Sequence, residues 1–453
     1  MSEQDSEWEF VKLQSIASKE KNAIVGGPFG SNLVSKDYVF YGVPVIRGQN
    51  MGNRWVGGEF VYVSEMKANS LSTNLAKPYD VVFTQRGTLG QVSIVPKKPF
   101  SRYVISQSQM KISVDKNLSD PFFVYYLFKS QEMIDYITRN TIQTALPHIN
   151  LGFLKEIQIP LPPLPTQKAI AHILGTLDDK IELNRRMNET LESIARAIFT
   201  SWFINFDPVR AKAENRQPEG MDAATAALFP SEFETVEGQE IPKGWEYNTI
   251  GKICSVQSGY AIKSSDFCET GHPVLKIKNI TNDKRIDLSN CDFISKKLAK
   301  EHPEFLLNNG DLVMAMTGAT VGKYGLVINM HHEKCFLNQR VCRFLPKGLN
   351  KEKNWFIYSA LDLSQVIDHV ISIADGSAQA NISSNAISSA KITIPSERII
   401  DQYNKRIEPI FLKIIHNLLE GIVLDRVRDT LLPKLLSGEL PIDNPEKFIE
   451  ATV

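Results

Sequence analysis

Short apolar runs separated by turn residues fill two long stretches of the chain, residues 1–160 and 244–395. The runs are rich in β-branched residues and are bounded by Gly, Pro and Asn, which is typical of strands. Clear examples are residues 43–46, 81–84, 91–95 and 110–114. Each stretch also contains one helical segment, near residues 121–139 and near 355–371. The pattern predicts two mixed α/β globules of about 150 residues each.

The second globule repeats the first. Four segments recur: residues 43–50 as 272–279, 79–82 as 310–313, the glycine turn 86–90 as 317–322, and 157–160 as 392–395. Matched positions, with Trp8 and Trp245 included, lie 229 to 237 residues apart. A repeat with so long a period indicates a duplicated structural unit.

Each globule is followed by a stretch in which apolar residues step by three and four. In the first stretch these positions include Ile170, Leu174, Leu177, Ile181, Asn184, Leu191 and Ile198. In the second they include Ile407, Ile410, Ile414, Asn417, Leu424 and Leu431. This is the heptad pattern of a coiled coil, with an Asn at the same heptad position in both stretches. We predict that the two helices pair as an antiparallel coiled coil with pseudo-twofold symmetry.

The predicted fold class is therefore α+β, with two tandem mixed α/β globules that are each followed by a long helix. The boundaries are a first globule at 1–160, a central helix at 161–204, a linker at 205–243, a second globule at 244–395, a distal helix at 396–440 and a tail at 441–453. A short helix is expected within the linker near residues 223–228. The alternative is that each long stretch is a core helix of its own globule.

Composition limits where the chain acts and what it binds. Lys plus Arg (51) equals Asp plus Glu (51), so any nucleic-acid contact requires a local basic surface or a partner. No apolar run is long enough for a membrane helix and the start lacks signal-peptide features, so we expect a cytoplasmic protein. The five cysteines lack metal-ligand spacing, and we predict buried free thiols.

Motifs of several enzyme classes are missing. Residues 318–323 resemble a phosphate loop, but the glycines are one residue too close and Tyr324 stands where Ser or Thr should follow the lysine. The chain has no HExxH zinc motif and no GxSxG nucleophile elbow. It also lacks the Asn/Asp-Pro-Pro-aromatic motif of adenine methyltransferases. We predict a scaffold without a catalytic residue, a metal site or a cofactor of its own.

Polar and basic residues in the repeated loops are candidates for contacts with duplex DNA. The first copy offers Arg47, Gln49, Asn50, Arg54, Gln85, Arg86, Thr88, Lys97, Lys98 and Arg102. The second copy offers Lys276, Lys278, Asn279, Thr317, Thr320 and Lys323. Arg or Lys commonly pairs with guanine and Asn or Gln with adenine, while glycine turns let the backbone approach a phosphate. For any one of these residues, an ordinary solvated turn is the alternative.

The two copies differ in these side chains, so we predict an asymmetric target with two half-sites. A helix of about 38 residues would extend about 57 Å. Successive major grooves on one face of DNA lie about 34 Å apart. Two globules on such a helical pair could therefore contact two half-sites.

Six segments together resemble the specificity subunit of Type I restriction-modification enzymes: residues 157–170, 191–203, 205–212, 228–230, 241–245 and 431–440. The resemblance implies two target-recognition domains for the halves of a bipartite site, with the paired helices as a ruler. It also implies that two modification subunits dock on the chain and methylate adenine with S-adenosylmethionine. Restriction subunits, which use ATP and Mg²⁺ for translocation and cleavage, join that core. The sequence departs from the family at Thr166, and Gly421 interrupts the second heptad pattern.

Two other functions are consistent with parts of the pattern. An architectural coiled-coil protein could bind DNA without a methyltransferase partner. A self-sufficient methyltransferase–nuclease fusion would need a cofactor pocket. Under the main hypothesis the chain itself is not an enzyme, and in isolation it should bind DNA weakly because partners supply part of the DNA-binding surface.

Overall fold

The computed structural model describes residues 8–141, 148–282, 284–331, 333–348, 355–363, 366–374 and 381–445. The chain divides into two compact units. The first comprises Met1–Lys180 together with Leu424–Val453, and the second comprises Ile181–Val423. Both long helices therefore contribute residues to both units.

The first unit consists of two sheets, a strand pair and short helices. Its strands are β1 (Glu9–Lys12), β2 (Ile24–Gly26), β3 (Tyr38–Val39), β4 (Val43–Ile46), β5 (Val61–Val63), β6 (Leu75–Ala76), β7 (Val81–Thr84), β8 (Val92–Ile94), β9 (Tyr103–Ile105), β10 (Gln109–Ile112) and β11 (Gln158–Leu161). Its short helices are α1 (Glu65–Ser70), α2 (Pro121–Lys129), α3 (Gln131–Arg139) and α4 (Leu151–Glu156), and the long helix α5 (Leu164–Phe199) follows. The strand orders are β3-β5-β4-β9-β6, β2-β10-β7-β8 and β1-β11.

The second unit has the same sheets. After α6 (Asp207–Ala213) and α7 (Ala223–Ala227), its strands are β12 (Phe233–Val236), β13 (Gln239–Pro242), β14 (Glu246–Thr249), β15 (Cys254–Ser258), β16 (Phe267–Cys268), β17 (His272–Leu275), β18 (Asp292–Ile294), β19 (Leu306–Leu307), β20 (Leu312–Ala315), β21 (Tyr324–Leu326), β22 (Cys335–Leu337), β23 (Val341–Pro346) and β24 (Lys391–Ile394). Its other helices are α8 (Lys296–Glu301), α9 (Trp355–Leu363), α10 (Val366–Ala374), α11 (Ser384–Ser388) and α12 (Glu397–Ser437). The orders β16-β18-β17-β22-β19, β15-β23-β20-β21 and β14-β24 match those of the first unit one to one. The predicted duplication is confirmed.

A pair of glycines shows how closely the two copies correspond. Gly42 and Gly271 have φ of 145° and 142°, a region in which only glycine is at ease. A Cβ at either position would overlap a backbone carbonyl oxygen, that of Val63 or that of Ile294. The β3–β4 and β16–β17 connections therefore both require glycine at the same place.

The predicted strands agree well with those observed, whereas the first predicted helical segment is not one continuous helix. β4 and β7 have the predicted bounds, and β8 and β10 differ at their ends. The segment 121–139 is two helices rather than one, because Ser130 ends α2 and caps α3 by accepting a hydrogen bond from Met133 N–H at 3.3 Å. The segment 355–371 contains α9 and the first part of α10, and residues 364–365 between them lie outside the described part of the chain.

Residues 205–243, predicted to be a linker, are folded onto the core of the second unit. They form α6, α7 and the β12–β13 hairpin. Val209, Phe229 and Ile241 from this segment are buried in one cluster with Trp202 and Trp245. Each apolar residue comes from a different short element, so the segment has no sustained period. The short helix expected near 223–228 is α7, at Ala223–Ala227.

The two long helices pair in antiparallel fashion, as predicted. In the second unit, Asn184 Nδ2 donates to Asn417 O at 3.5 Å and Asn188 Nδ2 donates to Ile414 O at 3.5 Å. As the residue number rises along α5, the number of its partner in α12 falls, so the two helices run antiparallel. In the first unit, Ile170 and Leu174 of α5 share a buried cluster with Leu432, Leu435 and Leu436 of α12. Gly421 lies within the continuous helix α12.

The long helices also belong to the cores of the globules, so the alternative considered for them holds in part. Phe199, at the end of α5, lies 5.6 Å from the ring of Phe356 and 5.7 Å from that of Tyr403. Phe203, in the π-helical turn Thr200–Ile204, contacts the same two rings. No helix within the described residues is long and apolar enough to cross a membrane.

An ion pair ties together the four-stranded sheet of each unit, and in the first unit both of its members are buried. In the first unit Lys111 Nζ lies 2.9 Å from Asp80 Oδ2, and the two side chains are 6% and 2% exposed. In the second unit Arg343 Nη1 lies 3.2 Å from Asp311 Oδ2. Removing one member of such a pair leaves the other charge buried without compensation.

We expect Asp80→Ala to lower the free energy of unfolding of the first unit by about 3–5 kcal/mol, because the Lys111 ammonium would remain buried. Urea denaturation followed by tryptophan fluorescence measures the change. Glu156→Ala is the control, since Glu156 pairs with Lys12 at the exposed surface and its loss should matter much less. Equal effects of the two substitutions would contradict this assignment.

Candidate nucleic-acid interface

Three loops of the first unit converge on one β-turn, residues 106–109, which we call the first junction turn. The turn connects β9 to β10, and its Gln109 N–H donates to Ser106 O at 3.1 Å. Three backbone hydrogen bonds attach the loops after β4, β7 and β2: Ser106 N–H to Ile46 O at 3.0 Å, Gln85 N–H to Ser108 O at 2.7 Å, and Gly27 N–H to Gln109 O at 2.8 Å.

The second unit has the same arrangement around residues 338–341, the second junction turn. Its Val341 N–H donates to Asn338 O at 2.9 Å. The loops after β17, β20 and β15 are attached in the same way: Asn338 N–H to Leu275 O at 3.2 Å, Met316 N–H to Arg340 O at 2.9 Å, and Gly259 N–H to Val341 O at 3.0 Å.

Strand direction explains why these loops meet. β4 and β9 run parallel, as do β17 and β22, whereas every other strand pair is antiparallel within the described sheets. Residues that follow two neighbouring parallel strands emerge at the same edge of the sheet. Arg47 and the first junction turn therefore lie together, as do Lys276 and the second junction turn.

Two of the predicted DNA-contacting residues shape the loops. Asn50 is buried, its Oδ1 accepts from Arg47 N–H at 3.1 Å, and its Nδ2 donates to Gly57 O and Glu59 O. Asn279 does the same in the second unit, accepting from Lys276 N–H at 2.9 Å and donating to Asp287 O at 2.8 Å. Both amide groups are engaged within the protein, so in this conformation they are not available to a base.

Arg54 and Arg102 are engaged within the first unit. Arg54 donates from Nη1 to Gly175 O at 3.1 Å and forms an ion pair with Asp179, which attaches its loop to α5. Arg102 forms an ion pair with Glu65 and donates from Nη1 to Asn69 Oδ1 at 3.0 Å.

The two lysines after β17 are paired with one carboxylate. Lys276 Nζ lies 2.8 Å and Lys278 Nζ 3.5 Å from Asp292 Oδ2. The hydrogen bond from Lys276 lowers the pKa of Asp292. Lys276 Nζ also lies 4.0 Å from the ring centroid of Phe267.

Other predicted residues are exposed or half-buried, although Lys97 and Lys98 lie between β8 and β9, at the sheet edge opposite the first junction turn. Arg86, Thr88, Lys97, Lys98 and Gln49 are exposed, and Gln49 Nε2 donates to Glu59 O at 3.2 Å. Arg47, Gln85, Thr317, Thr320 and Lys323 are half-buried, and Thr320 Oγ1 donates to Thr317 O at 3.0 Å. Arg47 Nε is buried without a hydrogen-bond partner among the described residues. Their contacts with DNA remain predictions.

The junction turns themselves carry polar side chains that the sequence analysis missed. Gln107 and Ser108 are half-buried in the first turn, and Gln339 and Arg340 are exposed in the second. The second residue of each turn is a glutamine, Gln107 or Gln339, and the strand before each turn is buried. That recurrence is the signal that would have revealed them.

Comparison with known proteins identifies the family. The sequence pattern of the Type I restriction modification DNA specificity domain matches twice, at residues 5–193 and 242–422. The chain belongs to this family. Each match includes one junction turn and the loops that it holds, so the chain carries two DNA specificity domains, the first and the second.

Relatives of this specificity chain match it over nearly its full length. It is 26% identical to the Type I restriction enzyme MjaIX specificity subunit of Methanocaldococcus jannaschii, covering 96% of this chain and 94% of the relative. It is also 26% identical to the HindI specificity subunit of Haemophilus influenzae, covering 90% and 97%. The crystal structure of the Type I S subunit from M. genitalium shares the fold, with a TM-score of 0.57, 17% identity and coverage of 94% and 96%.

A carboxylate joins each specificity domain to a long helix. In the first unit Asp178 of α5 accepts from Tyr126 Oη at 2.6 Å and pairs with Arg428 Nη1 of α12 at 2.9 Å. In the second unit Asp362 of α9 accepts from Tyr324 Oη at 2.6 Å and pairs with Arg196 Nη2 of α5 at 2.6 Å. Burial raises the pKa of both tyrosines, which keeps them protonated as donors.

The cysteines of the specificity chain are free and only partly buried. Cys254, Cys335 and Cys342 are buried, whereas Cys268 is exposed and Cys291 is half-buried, so the prediction of five buried thiols is wrong for two. Burial raises the pKa of the Cys254 and Cys342 thiols to about 12. No cluster of His, Cys, Asp or Glu suited to a metal ion occurs within the described ranges.

Proposed function

We propose that this chain is the DNA-recognition subunit of a Type I restriction-modification complex and that each specificity domain recognises one half of an asymmetric bipartite site. The observation that carries the proposal is the pair of junction turns. Each gathers three loops at one sheet edge through the same set of backbone hydrogen bonds. The side chains on these equal frameworks differ, because Arg86 stands opposite Thr317 and Ser108 opposite Arg340.

The two domains have the same loop framework but different side chains at matching positions, which supports recognition of two different half-site sequences. Arginine pairs with the O6 and N7 acceptors of guanine, and glutamine pairs with adenine, in the major groove. Arg47 in the first domain, and Gln339 and Arg340 in the second, are the donors best placed for such contacts. The exposed lysines Lys97 and Lys98 are suited to phosphate contacts.

Methylation and cleavage belong, in this proposal, to partner subunits. Modification subunits that use S-adenosylmethionine would methylate an adenine in each half-site. Restriction subunits that use ATP and Mg²⁺ would join that core and act on unmodified DNA. The chain itself contributes the choice of site and the surface on which the modification subunits dock.

The long helices offer an apolar surface for such docking. Leu183 and Ile194 of α5 are 53% and 44% exposed, and Leu412 and Val423 of α12 are 52% and 43% exposed. Each pair is separated by about three turns of helix, which returns to nearly the same face. Exposed apolar side chains aligned along a helix are typical of a protein–protein contact.

Exchanging residues 25–113 for the matching stretch of a relative should change one half of the methylated motif and leave the other half unchanged. The reason is that this stretch carries the first junction turn and its three loops. Single-molecule methylation sequencing of cells with the modification subunit and the hybrid chain gives both halves at once. The reciprocal exchange of residues 257–345 should change only the other half. If either exchange alters both halves, the assignment of one domain to one half-site is wrong.

Arg47→Ala should weaken binding of the assembled complex to its site by about 1–3 kcal/mol and relax the preference at one base of the first half-site, if Arg47 pairs with guanine. Lys97→Ala is the comparison, because loss of a phosphate contact weakens all sequences alike and lowers the salt dependence. Competition binding with single-base variants of the site distinguishes loss of a base contact from loss of a phosphate contact. A uniform loss across variants for Arg47→Ala would contradict its role in base recognition.

The double substitution Leu412→Glu with Val423→Glu should weaken assembly with the modification subunits by tenfold or more, because it places charge on the apolar docking surface. Burial of one such apolar side chain contributes about 1.5–3 kcal/mol. Analytical ultracentrifugation of the purified subunits measures assembly. Val39→Glu, in the first domain and 41% exposed, is the control and should assemble normally. Unchanged assembly of the double variant would exclude this helix face.

A further inference from the structure

One aromatic ring in the loop after β2 points into solvent beside the first junction turn. Phe29 is 87% exposed. Its loop is held on both sides: Gln107 Nε2 donates to Gly30 O at 2.5 Å and to Leu33 O at 2.9 Å. Before the ring, Gly27 packs so closely on Ser106 that a Cβ would overlap the carbonyl oxygen. The backbone of the loop therefore fixes the ring in an outward position.

The corresponding loop of the second domain, between β15 and β16, is three residues shorter and starts without an outward ring. Gly259 packs on Asn338 as Gly27 packs on Ser106, which aligns Tyr260 with Pro28 and Ala261 with Phe29. Tyr260 is turned inward, with its ring centroid 5.6 Å from that of Phe305 and 6.0 Å from that of Phe336. The outward position is taken by Ala261.

The residues around Phe29 are those expected of a DNA-binding surface. The loops that carry Arg47 and Arg86 are attached to the same junction turn as the loop of Phe29. A phosphate backbone complements the arginines, while an apolar ring finds its complement in a thymine methyl group or between base pairs. Phe40 is also fully exposed, in the segment between β3 and β4, but no described hydrogen bond connects that segment to the first junction turn.

We propose that Phe29 is an apolar base-contacting residue that packs against the base pairs of the first half-site and has no counterpart in the second domain. This inference rests on the proposed function. It makes the two half-sites unequal in the kind of contact as well as in the bases contacted. The first would be bound partly through apolar burial, and the second through polar groups such as Arg340.

The test is DNA binding by the complex of the full chain with its modification subunits, measured over a series of KCl concentrations. Phe29→Ala should weaken binding about 5- to 100-fold, the range found for removing an aromatic ring from bases. The slope of log K against log salt should stay unchanged, because no phosphate contact is lost. Phe29→Leu should restore part of the affinity. Phe40→Ala, the matched control, should bind as the wild type does.

Three outcomes would overturn the proposal. Binding by Phe29→Ala within twofold of the wild type would mean that the ring does not contact bases. A salt slope reduced by about one would mean that the substitution disturbs a phosphate contact instead. Weaker assembly with the modification subunits in the absence of DNA would mean that the ring packs on protein. The exchange of residues 25–113 tests the proposed function separately: if that exchange changes one half-site while Phe29→Ala has no effect, only the role of Phe29 fails.

Discussion

Pairing of the two long helices is the constraint on which the rest of the structure depends. Neither α5 nor α12 can bury its apolar face alone, and each supplies residues to both cores. Their register is fixed by amides: Asn417 Nδ2 donates to Asn188 Oδ1 at 2.8 Å and Asn184 Nδ2 to Glu420 Oε2 at 2.8 Å. Buried polar groups of this kind are costly when mispaired, so they favour one alignment over its neighbours.

Polar residues in the repeated loops divide into two groups by what they contact. Asn50, Asn279 and Arg54 donate hydrogen bonds to backbone carbonyl groups of the protein and thereby stabilise the loop conformations. Arg86 and Arg340 are exposed near the junction turns. Rigid loops with exposed tips suit recognition, because little ordering remains to be done when a ligand binds.

The sequence predicted the features that repeat with a period and missed those made by single contacts. The apolar patterns predicted the duplication, β4, β7 and the helical pair, because each of these patterns corresponds to a regular secondary-structure element. The folded segment 205–243 escaped because its buried residues, such as Phe229 and Ile241, come from separate short elements. The engagement of Arg54 by Asp179 could not be foreseen, because the two residues meet only through packing of the loop after β4 on α5. The junction turns were missed because their convergence depends on the order of strands in the sheets.

Main-chain atoms make all six of the bonds that gather the loops around the two junction turns. Side chains at positions 108, 339 and 340 can therefore be replaced without loosening the framework, whereas Gln107 also holds the loop after β2 through its side chain. If the side chains at these positions contact bases, as proposed, a new target site could arise from a few point substitutions that leave both frameworks unchanged.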